Sequence, residues 1–136
     1  MVKGILADVN IEGHVERLCQ LMRQEYRQEF WEDLQLKVPT FAEIGLNPGD
    51  PDVLVWQKCQ EEELVLITAN RNQTSTDSLD MTIRALGTAT SLPVLTIGDP
   101  ERVLRSRDYA ERVADKLLQY VFDIDVHRGA GRLYLP

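Results

Sequence analysis

Two hydrophobic periodicities alternate along this chain. The apolar run Lys3-Gly-Ile-Leu-Ala-Asp8 predicts a buried strand over 3–8. From Ile11 to about Leu34 the pattern turns helical, with Val15, Leu18, Cys19, Met22, Tyr26 and Phe30 recurring at spacings of three and four. Arg17, Gln20, Gln24 and Arg27 fall on the opposite face. Residues 35–41 suit a short strand that Pro39 pushes toward an edge or a strand end. The Asn-Pro-Gly and Asp-Pro steps that follow signal a loop and a helix start, with Asp50 as N-cap and Pro51 at the first helical position. That helix takes its apolar contacts from Val53, Leu54, Trp56 and Cys59 and ends near Glu63, ahead of a central strand over 64–68.

After the polar, hydroxyl-rich stretch 70–77, a helix from about Asp77 carries Leu79, Ile83 and Leu86 inward. Residues 92–97 form another apolar strand, and Gly98-Asp99-Pro100-Glu101 repeats the Asp-Pro helix start. A longer helix over about 108–124 buries Ala110, Val113, Ala114, Leu117 and Val121, and the tail Arg132–Pro136 suits a last edge strand. Such alternation predicts a three-layer α/β/α fold around a mostly parallel sheet of four to five strands. Right-handed crossovers then bring the ends of strands 3–8, 64–68 and 92–97 to one edge, with Asp8, Asn10, Asn70, Asn72 and Asp99 nearby. The length suits a single domain, 1–136, with one core.

Composition narrows the function classes. A net charge of -7 argues against an extended basic nucleic-acid face, while leaving room for a local basic patch or for RNA held through metal ions. Cys19 and Cys59 are too few and too isolated for a metal-binding cysteine motif; both fall at apolar helix positions, as buried free thiols in a reducing cytoplasm would. No signal-peptide core opens the chain, and no run approaches the roughly 20 apolar residues of a membrane span, so the expectation is a cytoplasmic protein with no membrane contact.

Candidate chemistry gathers at the strand ends. Asp8 closes a buried strand, where a carboxylate is costly unless paired or metal-bound. Asp50 either caps its helix or faces the cleft, with Asp52 as a backup on the same helix start. Asn70 can ligate through its carbonyl oxygen without bringing charge, and Asn72 likewise. Asp77 either turns its carboxylate back toward the cleft or caps the next helix. Arg71 could meet a phosphate, and Thr68 and Ser75 could assist one. Arg102, Arg105, Arg107 and Arg112 make a local basic cluster that reads either as a solvated face or as a contact for RNA or an acidic partner. His14 and His127 have no metal-ligand spacing, and Trp31 and Trp56 suit core or interface packing.

Four segments, in order, carry a family likeness: Ile5-Leu-Ala-Asp8-Val-Asn10, Ala42-Glu43-Ile-Gly-Leu46, Asp50-Pro-Asp52-Val-Leu, and Leu66-Ile-Thr68-Ala-Asn70. Over roughly residues 3–97 the chain resembles the PIN-like domains of small stand-alone bacterial proteins and of VapC-type toxin ribonucleases. It departs from their pattern where Asn70 and Asn72 stand in place of aspartates. The resemblance implies a ribonuclease dependent on Mg²⁺ or Mn²⁺, with Glu43 supplying a further carboxylate beside Asp8, Asp50 and Asp77, and Asn70 as a neutral ligand. Arg71, Asn72 and Thr68 would then contact substrate. It also implies RNA as substrate and a toxin-type partnership with an antitoxin or other protein. The alternative is a PIN-like binding or regulatory module whose catalysis is weakened or lost, which the asparagines and the acidic charge favour. A phospho-receiver would need a Lys ending the last strand, and an Asp-x-Asp phosphatase is excluded by Asp8-Val-Asn10. The aromatic residues Tyr26, Phe30 and Trp31, continuing past the core stripe of the first helix, raise the expectation of a homodimer.

Overall fold

The computed structural model describes residues 2–69 and 78–136. Strands β1 (Gly4–Ala7), β2 (Leu64–Ala69), β3 (Val94–Ile97) and β4 (Arg132–Leu135) form an all-parallel sheet in the order β1-β2-β3-β4. Between them run α1 (Glu12–Met22), α2 (Gln28–Leu34), α3 (Asp52–Glu62), α4 (Ser78–Leu86), α5 (Pro100–Arg105) and α6 (Arg107–Phe122).

Side-chain alternation sends the strands' residues to two cores. Ile5, Ala7, Val65, Ile67, Leu95 and Ile97 pack with Val15 and Leu18 of α1 and Val113 and Leu117 of α6. Leu6, Leu64, Leu66 and Val94 pack on the other side with Val55, Trp56 and Cys59 of α3 and Leu79 of α4. Burial on both faces is why β1 to β3 read as continuous apolar runs rather than alternating ones. Register is tight: Leu6 stands opposite Leu66, Ile67 opposite Leu95, and Leu95 opposite Leu133.

The expected strand over 35–41 shrinks to a single parallel bridge, Lys37 to Gly4, on the edge of β1 away from β2. Ile5 N–H donates to the Lys37 carbonyl at 2.9 Å, and Lys37 N–H to the Lys3 carbonyl at 3.0 Å. Pro39, having no N–H, cannot extend the ladder. The chain thus touches one edge of β1 at Lys37 and returns to pair with its other edge at Leu64. This reversal makes a topological switch point beside β1, where open α/β sheets place their ligands.

The expected helix over 11–34 is broken. α1 stops at Met22, Glu25 takes a left-handed backbone (φ 55°), and a short 3₁₀ turn over Glu25–Arg27 leads into α2. No Gly or Pro marks the break, so periodicity alone continues through it. The offset turns Tyr26 and Phe30 outward and carries Arg27 inward, where it is 2% exposed and its Nε donates to Asp115 Oδ1 at 2.6 Å. α3 also differs: Val55, not Val53 or Leu54, joins Trp56 and Cys59 in the core, and in α4 Leu86 stays exposed. The last helix and the edge strand follow expectation, with Ala110, Val113, Ala114, Leu117 and Val121 buried. Cys19 and Cys59 are buried free thiols; burial pushes them up to about 11 and about 12, so both stay protonated and inert. Among the described residues, no helix is long and apolar enough to cross a membrane.

A Cβ at Gly4 would lie 2.1 Å from the Lys37 carbonyl oxygen. Gly4→Ala should therefore push the 35–39 segment off β1 and cost about 1–3 kcal/mol, as overpacking does. Urea denaturation reads this directly, and an unchanged midpoint would show that the bridge contributes nothing.

Candidate acidic cleft at the switch point

β1 ends where Asp8 N–H donates to the Ile67 carbonyl at 2.9 Å, one last rung of the ladder. The chain then tightens into a 3₁₀ turn over Val9–Ile11, with Ile11 N–H returning to the Asp8 carbonyl. Asp8 is thereby held half-buried at the sheet's carboxyl edge. Beside it opens a cavity of about 120 Å³ whose polar wall is Asp8, Asn10, Asp50, Asp52, Thr68 and Arg132, against apolar Phe41, Val55, Leu66 and Leu79.

Each polar group arrives by a separate route. Thr68 stands opposite Thr96 in register, and their hydroxyls hydrogen-bond at 3.0 Å in the buried sheet face. Asp50 does not cap α3: its Oδ2 accepts from Asn47 N–H at 2.7 Å while its own N–H donates to the Asn47 carbonyl, closing the 47–50 turn. Pro51 holds the cap position without a side-chain bond, and α3 starts at Asp52. The Asp52 carboxylate thus sits at a positive helix end and accepts from the Ser78 hydroxyl, tying the starts of α3 and α4 together.

Arg132 is the cleft residue that sequence reading missed. Pairing of β4 with β3 puts Arg132 opposite Val94, hence on the α3/α4 face, while Leu133 and Leu135 serve the other core. Its guanidinium reaches the cavity and pairs with Asp80 of α4 at 3.1 Å, its side chain 14% exposed. The period-two pattern of the tail separates Arg132 from Leu133 and Leu135; which face carries the cleft is not in that pattern.

Glu43 lies elsewhere. It is exposed, does not line the cavity, and turns back on its own loop, with Oε1 accepting from Thr40 N–H at 2.9 Å and its N–H donating to Thr40 Oγ1 at 3.3 Å. The backbone bond from Thr40 first, and the Thr40 hydroxyl contact second, hold its carboxyl below the usual glutamate range. Asn70, Arg71, Asn72, Ser75 and Asp77 lie outside the described residues.

Several other candidates are occupied locally. Arg102 and Arg112 stack over Tyr109, and Arg107 pairs with Glu25 and Glu111. His14 Nε2 faces Glu101 at 3.4 Å, and His127 packs edge-on against Tyr120. Trp56 is core, and Trp31 lies partly buried beneath Arg23.

Asp8, Asp50 and Asp52 bring hard oxygen donors of the type Mg²⁺ and Mn²⁺ take. Among the described residues, however, no three His, Cys, Asp or Glu side chains form a group that could hold a metal ion. No family model, curated protein or solved structure matches this chain.

A depressed carboxyl stabilises the fold fully above the unfolded glutamate pKa, and that share disappears as pH falls through the folded value. Glu43→Gln should therefore lower the urea midpoint at neutral pH, and the gap from wild type should close as acid protonates the Glu43 carboxyl. A gap that is absent at neutral pH, or that widens in acid, would contradict the turn's role.

Proposed function

We propose that the cleft is the centre of a divalent-metal-dependent phosphodiester hydrolase acting on RNA. The observation that carries this reading is that Asp8, Asp50 and Asp52 line the same cavity as Thr68 and Arg132, at the switch point of a parallel sheet. The ordered motifs that resemble PIN-like domains agree with it. Asp8 with Asp50 or Asp52 would supply part of the ion's ligand set, and Asp77 and Asn70, which lie outside the described residues, would supply the rest as the resemblance implies. A hard divalent ion so held supplies an activated water and neutralises charge building on the phosphate.

The chain's own residues divide the remaining work. Arg132, fixed by Asp80, offers a planar donor fork suited to phosphate oxygens. Thr68, already bonded to Thr96, has a hydroxyl at the cavity wall that can meet a second oxygen. With a net charge of -7, attraction to RNA rests on Arg132 and the metal rather than on a basic surface.

A second reading is favoured by one specific observation: Asp50 and Asp52 are already engaged, to Asn47 and Ser78, and no metal-holding group of three stands among the described residues. In that reading the protein keeps the cleft as a binding or regulatory module and hydrolyses nothing.

Thermal melts with millimolar MnCl₂ or MgCl₂ test the proposal. A ligand of the native state stabilises by mass action, about 2.7 kcal/mol at a hundredfold excess over Kd, so the melting temperature should rise by several degrees and Asp8→Asn should abolish the rise. No shift at saturating millimolar metal would overturn the metal reading. A shift without cleavage of single-stranded RNA would support the binding module. Arg132→Gln should weaken RNA binding roughly tenfold, about the worth of one charge-assisted hydrogen bond, while the metal-induced shift persists.

A further inference from the structure

Away from the cleft, α2 and α6 leave an apolar groove of about 320 Å³, lined by Tyr26, Phe30, Leu118 and Phe122. Tyr26, Phe30 and Phe122 are 65%, 53% and 63% exposed. Taking about 200 Å² per aromatic side chain, the three present roughly 350 Å² to solvent. That is the size of the largest apolar patch on many monomers, a patch that is often functional.

The groove is built, not loose. Phe30 meets Phe122 edge-on at 6.0 Å between ring centres. Buried Arg27 donates to the Tyr26 hydroxyl at 2.6 Å and to Asp115 at 2.6 Å, and Tyr26 O–H donates to the same carboxylate at 3.1 Å. The aromatic ridge is therefore held in place before any partner arrives.

Charge around the groove is one-sided. Segments 25–34 and 107–123 carry eight acidic and four basic side chains, a net -4 within a chain of net -7. Their cations are largely committed: Arg27 to Asp115 and Glu111, Arg107 to Glu25 and Glu111, while Arg112 and Lys116 lie over tyrosine rings. Glu29, Asp33 and Asp123 are exposed and have no ion-pair partner among the described residues.

We propose that this groove docks a cationic amphipathic helix of another protein. Its walls are side chains with no strand edge among them, so an occupant brings apolar side chains rather than ladder hydrogen bonds, and an amphipathic helix presents these along one face. Lys and Arg on that helix's flanks would meet Glu29, Asp33 and Asp123. A second copy of this chain would set -4 against -4.

The test uses a labelled Leu/Ala/Lys helical peptide, with leucines at i, i+4 and i+7, and its Leu/Ala/Glu counterpart. Anisotropy should show micromolar binding of the cationic peptide only, weakened by salt. Phe30→Ala and Phe122→Ala should each weaken it about tenfold, the loss of a modest hot spot. Tyr26, Phe30 and Phe122 are exposed, so the fold should survive; Asp33→Lys, three residues from Phe30 on the same helix, reads the same contact if either aromatic variant unfolds. Absence of binding, equal binding of the acidic peptide, or binding indifferent to Phe30→Ala, Phe122→Ala and Asp33→Lys would overturn the proposal. So would self-association in sedimentation that Phe122→Ala removes, which would make a second copy the occupant.

Discussion

The approach of the Lys37 carbonyl to Gly4, closer than any side chain would allow, decides where this protein has a cleft. By taking up one edge of β1, the chain must cross to the other edge before β2 can pair, and the connection divides between the two sheet faces. α1 lies on one side and α3 on the other. Where consecutive connections leave a sheet in opposite directions, no loop can fill the gap at the strand ends. Asp8 stands at that gap because the β1–β2 ladder ends on its own N–H.

Electrostatics follow from this geometry. A carboxylate is expensive to desolvate, and the cleft gathers three of them around one described cation, Arg132, itself steadied by Asp80. Asp50 accepts a hydrogen bond from Asn47 in its own turn, and Asp52 accepts one from Ser78 at the start of α4. The same economy appears at the distant α2/α6 junction, where buried Arg27 is matched by Asp115 and Glu111 and shares the Tyr26 hydroxyl. In both places carboxylates hold an arginine: Asp80 holds Arg132 at the wall of the cavity, and Asp115 and Glu111 hold Arg27 beside an exposed aromatic ridge.

Much of the cleft was legible from residue order. Asp8 at a strand end, Thr68 at the end of the central strand, and Asp50 or Asp52 at a helix start all line the cavity, because strand and helix termini follow from local pattern. Between the last two, the structure makes Asp52 the helix-start residue and gives Asp50 to the preceding turn. Glu43 was placed by family likeness, and its carboxylate is instead taken by Thr40, three residues away, a contact that hydropathy does not register. The break after Met22 was invisible for a related reason: the apolar spacing runs on through Tyr26 and Phe30, while Arg27 turns inward to meet Asp115 eighty-eight residues later, a contact that local spacing does not register.

The sequence by itself determined the α/β class, the parallel strands and most of the core, because burial on two sheet faces leaves continuous apolar runs and one buried helix face leaves a three-to-four spacing. Only the tertiary structure decided which edge of β1 the chain would use, that Arg132 would share a cavity with Asp8, and that Tyr26 and Phe30 would face solvent. Those outcomes depend on pairings between segments far apart in the chain, and short-range periodicity carries no record of them.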